Sequence, residues 1–365
     1  MSGVYISYPF CSQKCSFCNF ASGVHTREME RRYADALVGE IRAHQWAWAP
    51  DTVYLGGGTP SNMTPADLER VLDQIPGRPW REVTLEAAPG SLTLEKVREW
   101  RRLGVNRVSL GVQSFISREL AQTGRKHTAQ IVDSDCELLR ANGIEEVNID
   151  LIAGLPHQTS DSWRESLDWI KRLNPPHVSV YLFEIDEDSR LGFEILNNGQ
   201  RYGASNLPTE ELAAELYESA VDALREMGIE RYEISNFATP GHESIHNLKY
   251  WTMQPYVGFG VDAHSFDGSL RTGNVDDLQV YLTRVEAGES PAADSTPAHL
   301  DEERMFTGLR LSAGIELTPG QRDAHQQAIE RFIAAGLLTQ DGDKIQLTSR
   351  GVLLSNEVFQ EFLAA

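Results

Sequence analysis

Short runs rich in β-branched and aromatic residues punctuate the chain at Val4 to Ser7, Thr52 to Leu55, Glu82 to Glu86, Arg107 to Leu110, Val147 to Ile152 and Val178 to Phe183, with a weaker run at Tyr232 to Ser235. Each reads as a strand. Between them apolar residues recur at helical spacing over Arg27 to Trp48, Thr64 to Ile75, Thr93 to Leu103, Ala129 to Asn142, Ser160 to Leu173 and Thr209 to Met227. Thr64, followed by Pro65, and Thr93 stand where N-caps belong, and Gly104, Gly143 and Gly228 stand where a helix leaves through a left-handed residue. Alternating strands and helices predict a parallel sheet, because parallel strands need long crossovers whose helices cover the faces. About six repeats predict an α/β fold with a partial (β/α) barrel, whose functional groups gather at the C-terminal ends of the strands.

From about Asn236 the rhythm gives way to Gly-, Asn- and Asp-rich sequence, and a polar stretch from Gly288 to Pro297 precedes helical patterns at Asp301 to Leu309 and Pro319 to Ala335. The expected division is a barrel over 1–236, a connecting segment over 237–297 and a smaller α+β unit over 298–365. In the last, Ile329 to Leu338, Lys344 to Leu347 and Thr348 to Leu354 read as helix, hairpin and helix, resembling a winged helix, for which a packing role is preferred over nucleic acid binding.

The composition supports that preference. Apolar residues make up 41% and charged residues 24% of 365, which excludes a disordered or low-complexity chain. The net charge of −20 repels phosphate backbones and anionic lipid, so no nucleic acid partner is expected. The first residues lack a basic stretch followed by an apolar one, and nowhere do 18 uncharged apolar residues run together, so a soluble cytoplasmic protein without membrane insertion is expected, transient membrane association aside.

Three of the four cysteines, Cys11, Cys15 and Cys18, fall within eight positions, a poor layout for disulfides and a good one for metal. Three thiolates on one short loop suit three irons of a [4Fe–4S] cluster, leaving the fourth iron open. Zinc would want a fourth ligand, for which His25 is the nearest candidate. The residues that follow the other strands are equally informative: Gly56-Gly57-Gly58-Thr59-Pro60 after the second, Glu86 in the third, Gly111 to Gln113 after the fourth, and Asp150 in the fifth. The glycines allow backbone amides to approach a ligand, and no Gly-Lys-Ser/Thr follows to make a phosphate loop.

The Cys11-x3-Cys15-x2-Cys18 spacing resembles the radical SAM superfamily. Tyr5 to Phe20, Tyr54 to Ser61, Arg107 to Phe115, Asn148 to Pro156, Tyr232 to Ala238 and His246 to Trp251 are similar to its oxygen-independent coproporphyrinogen III oxidase-like branch, over roughly residues 4 to 266. The resemblance implies S-adenosylmethionine at the open iron and its reductive cleavage to a 5′-deoxyadenosyl radical, with a small electron donor such as flavodoxin or ferredoxin as partner. It also implies that Tyr5, Gly57, Gly58, Thr59, Glu86, Gln113, Arg125 and Asp150 surround S-adenosylmethionine. Their chemistry suits it: Arg125 can pair with the carboxylate, and Glu86 and Asp150 can accept hydrogen bonds.

Three positions depart from the oxidase pattern. Phe20 stands where the oxidase has a fourth Cys, Ser7 replaces a His, and Ala88 replaces an Asn; the first strand also begins within a few residues of Met1, leaving nothing to cover the site. Phe20 and the His246-Asn-Leu-Lys-Tyr-Trp251 motif resemble the haem chaperone subfamily, implying haem as cargo, His246 as its ligand, and an apo-haemoprotein acceptor. His264 is a second candidate ligand, and His127 is expected to support the cluster side. The alternatives are oxidative decarboxylation of coproporphyrinogen, a related methyltransferase, and a zinc-stabilised binding protein.

Overall fold

The computed structural model describes residues 2–363. Six parallel strands alternate with helices: β1 (Gly3–Tyr8), α1 (Arg27–Ala43), β2 (Thr52–Gly57), α2 (Pro65–Leu72), β3 (Glu82–Ala87), α3 (Leu94–Leu103), β4 (Arg107–Gln113), α4 (Ser117–Thr123), α5 (Ala129–Ala141), β5 (Glu146–Ala153), α6 (Ser160–Leu173), β6 (His177–Leu182), α7 (Arg190–Leu196) and α8 (Glu210–Glu226). Thr64, Thr93 and Thr209 cap α2, α3 and α8 by accepting from Asp67, Lys96 and Leu212 amides. Gly104, Gly143 and Gly228 all have positive φ, so the helices stop where the sequence says they should.

The chain continues through β7 (Glu230–Arg231), β8 (Asn236–Ala238), α9 (Ile245–Trp251), β9 (Tyr256–Phe259), β10 (His264–Phe266), β11 (Leu270–Asn274), α10 (Leu278–Glu286) and β12 (Ala292–Pro297). These strands join the same sheet, in the order β12-β11-β10-β9-β1-β2-β3-β4-β5-β6-β8-β7. β9 runs parallel to β1 with Gly3 opposite Tyr256, whereas β10, β11 and β12 extend that edge antiparallel. The segment expected to connect two units thus contributes four strands to the sheet's edge.

The weak run at Tyr232 to Ser235 is not a strand. Glu233 is fully buried there and its carboxylate accepts from the Ser235 amide at 3.0 Å and the Asn236 side chain, folding the backbone into a turn between β7 and β8, the latter antiparallel to β6. Beyond lie α11 (Leu300–Gly308), β13 (Ile315–Glu316), α12 (Pro319–Ala334), β14 (Leu338–Asp341), β15 (Lys344–Leu347), α13 (Ser349–Leu353) and α14 (Ser355–Gln360), with a small sheet ordered β13-β15-β14. No helix among the described residues is long and apolar enough to cross a membrane.

The core lies between the sheet and its helices. Val4, Ile6, Val53, Leu55, Leu85, Val108, Leu110, Ile149, Leu151, Val178 and Val180 are fully buried. Strand geometry sends the alternate residues to the inner face of the curved sheet, and that face is polar.

Candidate functional site

The inner face carries Tyr5 and Ser7 from β1, Tyr54 from β2, Thr84 and Glu86 from β3, Ser109 and Gln113 from β4, Asn148 and Asp150 from β5, and Ser179 and Tyr181 from β6. The register aligns them in rows, with Tyr5, Tyr54 and Thr84 in one and Glu86, Ser109 and Asn148 in the next. Tyr5 stacks on Tyr54 at 6.1 Å, and the Tyr54 hydroxyl donates to Glu86 at 2.8 Å. Ser109 and Asn148 donate to opposite oxygens of Asp150 at 3.0 and 2.7 Å. Burial pushes the Glu86 carboxyl up to about 7, a rise that the Tyr54 hydrogen bond opposes and the Asp150 charge reinforces. Asp150 is raised by burial too, against its hydrogen bonds and the Arg125 charge.

Arg125 follows α4 and donates from Nη1 to the Gly111 carbonyl, while its Nε is buried without a partner. An orphaned guanidinium N–H is costly unless an acceptor arrives, and a carboxylate supplies one. Gln113, buried at the end of β4, has φ of 69°, an uncommon conformation for a non-glycine residue that turns the chain beside Arg125. Tyr5, Glu86, Gln113, Arg125 and Asp150 are therefore brought to one end of one face.

The glycine turn joins them differently from the expectation. Gly57 donates its amide to Glu86, and the Gly58 and Thr59 amides donate to the Tyr8 and Phe10 carbonyls at 2.8 and 3.0 Å. These amides are already used, so what the turn has left for a ligand ammonium is carbonyl oxygen. A Cβ on Gly58 would lie 2.8 Å from the Phe10 carbonyl oxygen, so close lashing of this turn to the start of the cysteine loop requires glycine.

That loop is clamped along its length. The Cys11 amide donates to the Gly23 carbonyl at 2.9 Å, Ser16 bonds the end of α4 through Thr123 and Gln122, and the Leu191 amide of α7 donates to the Ser16 carbonyl at 2.8 Å. Cys11, Cys15 and Cys18 are free and partly buried, and burial raises the Cys18 thiol. Among the described residues no three metal-binding side chains converge on one ion position. The thiols are spread along the loop, as a cuboidal cluster requires, since each thiolate then meets a different iron. Cys136 lies apart, buried in α5 with its thiol pushed up to about 12. Phe20 is 61% exposed on the same loop, and His25 packs edge-on against Phe10.

The His246 to Trp251 motif forms α9, at the opposite end of the strands. Glu82 at the start of β3 accepts from Ser244 Oγ and the Ile245 and His246 amides at 2.9 to 3.1 Å, satisfying the helix N-terminus. Lys249, 2% exposed, pairs with Asp51 at 2.7 Å. His246 is fully buried; Nδ1 lies 2.9 Å from Thr52 Oγ1 and Nε2 2.8 Å from the Tyr250 hydroxyl. A ring so held has no nitrogen to offer an iron, so the expected haem ligation by His246 is corrected to a packing and hydrogen-bonding part. His264 is exposed beside Asp262, and His127 is buried near Arg125.

Burial pushes His246 down to about 3, with Lys249 adding to the fall, and pushes His127 down to about 4. Such histidines are neutral in the native state, while the unfolded chain takes protons near pH 6.5. Their contribution is complete above 6.5 and lost at about 1.4 kcal/mol per unit and residue as pH falls toward 4. Glu86, Asp150 and Glu40, raised by burial, act with the opposite sign. Urea unfolding of wild type and His246→Gln at pH 7.5 and 5.0 isolates the term: the stability lost on acidification is expected to be smaller in the variant.

Tyr54, Ser109, Asn148 and Tyr181 were not singled out from the sequence. Their signal is parity, since each sits an even number of residues from a chosen site residue or row partner on the same inward face.

A polar-faced parallel barrel with a three-cysteine loop at its strand ends defines a radical SAM protein. The radical SAM superfamily model matches residues 5–170, and the HemN C-terminal domain model matches residues 296–354. The chain is similar to "Heme chaperone HemW" of Bacillus subtilis, 34% identical over 100% of this chain and 99% of the relative, and to that of Escherichia coli, 30% identical over 99% and 98%. It belongs to the heme chaperone HemW family. In structure it is similar to the coproporphyrinogen III oxidase HemN of Escherichia coli, with TM-score 0.86 and 23% identity over 99% of this chain and 89% of that one, which shows a shared fold.

Proposed function

We propose that this chain binds haem and passes it to an apo-haemoprotein, holding a [4Fe–4S] cluster on Cys11, Cys15 and Cys18 and S-adenosylmethionine beside it. The observation that carries the cargo reading is full-length similarity to the heme chaperone relatives at 30 to 34% identity. When bound and reduced, the cluster supplies an electron and an open iron position to S-adenosylmethionine. The residues fit that ligand: Arg125 has an unused buried N–H for its carboxylate, the Gly57 to Thr59 turn presents carbonyl oxygens to its ammonium, and Glu86 and Asp150 provide acceptors where a cationic sulfonium and ribose hydroxyls need them.

The geometry below these residues argues against a tetrapyrrole inside the barrel. Tyr54, Thr84, Arg107, Asn148, His177 and Asn236 close it to a cavity of about 40 Å³, room for a single water. The test is anaerobic incubation with reductant, S-adenosylmethionine and coproporphyrinogen III, followed by porphyrin chromatography, beside a titration with hemin. A Soret band on titration and no protoporphyrinogen are expected. Decarboxylated product without hemin binding would replace the chaperone with the oxidase.

A further inference from the structure

The largest cavity among those described, about 770 Å³, lies where the β9-β10-β11 edge meets α11. It is within the size range of small-molecule and cofactor sites. We propose that this cavity is the cargo site for haem, with the imidazole of His299 as an axial ligand. The proposal rests on the haem reading above and says where that cargo sits.

The walls suit a planar tetrapyrrole. Tyr250 and Tyr256 meet edge to face at 4.7 Å, Tyr256 lies 6.4 Å from Phe266, and Trp251 and Phe306 complete an aromatic lining. Such faces bury an apolar macrocycle on both sides. The polar groups are few and placed for its charged periphery. Arg271 stacks over Phe266 at 4.6 Å and pairs with Glu303, which leaves further guanidinium N–H groups for a propionate. The Trp251 indole N–H is buried with no partner, a second donor wanting an acceptor, while Arg310 holds the Trp251 ring from outside at 4.3 Å. Glu302 also lines the cavity and accounts for part of its acidity, which a ferric centre offsets.

His299 contrasts with His246. It precedes α11, is exposed at the cavity, and its backbone amide, rather than its ring, donates to Glu303 at 3.0 Å. Its ring nitrogens have no hydrogen-bond partner among the described residues, so one is available to iron.

The placement separates cargo from cluster. Tyr256 pairs opposite Gly3, Phe266 opposite Tyr256 and Arg271 opposite Phe266, so the cavity lies at the N-terminal ends of the parallel strands. The cysteine loop follows their C-terminal ends, one strand length away, about 20 Å.

Hemin titration of the full chain reads the Soret band and the affinity. His299→Ala is expected to shift the band and weaken binding about tenfold or more, His299→Met to restore a band at a changed position, and His246→Gln to keep the wild-type band. Thr307→Trp, which fills the cavity from α11, is expected to abolish binding while S-adenosylmethionine affinity and iron content, read at the other end of the strands, stay unchanged and certify folding. If wild type binds no hemin, the haem reading fails and this site with it. If wild type binds hemin and both His299→Ala and Thr307→Trp leave band and affinity unaltered, the haem reading stands and this site is overturned.

Discussion

Anaerobic reconstitution of Cys11→Ala, Cys15→Ala or Cys18→Ala is expected to lose the [4Fe–4S] cluster, and the triple variant to retain neither iron nor sulfide. Each thiolate meets a separate iron, and the loop has no reserve thiol: Phe20 stands two residues beyond Cys18 and points to solvent, 61% exposed. Cys136 cannot substitute, since it is buried in α5 among core residues and its raised thiol resists becoming the thiolate a metal needs. Cys136→Ala should therefore keep four irons and four sulfides per chain, at the modest stability cost of a small core truncation. Iron and sulfide analysis with the visible charge-transfer absorption measures both. Retention of four irons by the triple variant would sink the assignment.

The loop's clamps sharpen the expectation. Ser16 is held by α4 and α7 through main-chain and hydroxyl hydrogen bonds, so the thiols are presented by a scaffold that none of the three cysteines maintains. Loss of metal in the variants then reports ligation rather than collapse of the loop.

The repeating unit was legible because two periodicities alternate in the sequence and threonine caps and glycine exits mark helix ends. Helix α1 stops at Ala43 rather than running to Trp48, since Trp46 and Trp48 pack on each other and on the core as irregular chain. Short elements escaped. Helices α7 and α9 span only two turns, too few for a period to show, and the antiparallel edge strands β10 to β12 are set in Gly-, Asn- and Asp-rich sequence that reads as loop. The candidate site was legible residue by residue at the strand ends, where polar residues interrupt apolar runs. What the spacing could not tell is which groups are already satisfied. His246 has two partners distant in sequence, Thr52 among them, and the Gly58 and Thr59 amides are taken by Tyr8 and Phe10. Such pairings depend on the register of the closed sheet, which no local pattern encodes.

That same accounting of used and unused groups sets the second large effect, on S-adenosylmethionine. Arg125→Ala removes the guanidinium whose Nε is buried without a partner, and with it a charge-assisted contact to the ligand carboxylate. The expected loss is about 1.5 to 3 kcal/mol, roughly 10- to 150-fold in affinity by calorimetry. Arg125→Lys should recover part of it, because an ammonium keeps the charge and loses the fork. Glu86 adds a dependence on pH. Its carboxyl, held near 7 by burial and by the Asp150 charge, is neutral below that value and anionic above it. A cationic ligand favours the anion, so wild-type affinity should rise as pH climbs through about 7, with proton release on binding near that pH. In Glu86→Gln the group does not titrate, and affinity should stay flat over the same range at or below the level of the protonated wild type. Calorimetry at pH 6, 7 and 8 in buffers of different ionisation enthalpy measures affinity and proton release together. Equal affinity in Arg125→Ala and wild type, or a wild-type profile without a step, would remove these two side chains from the ligand.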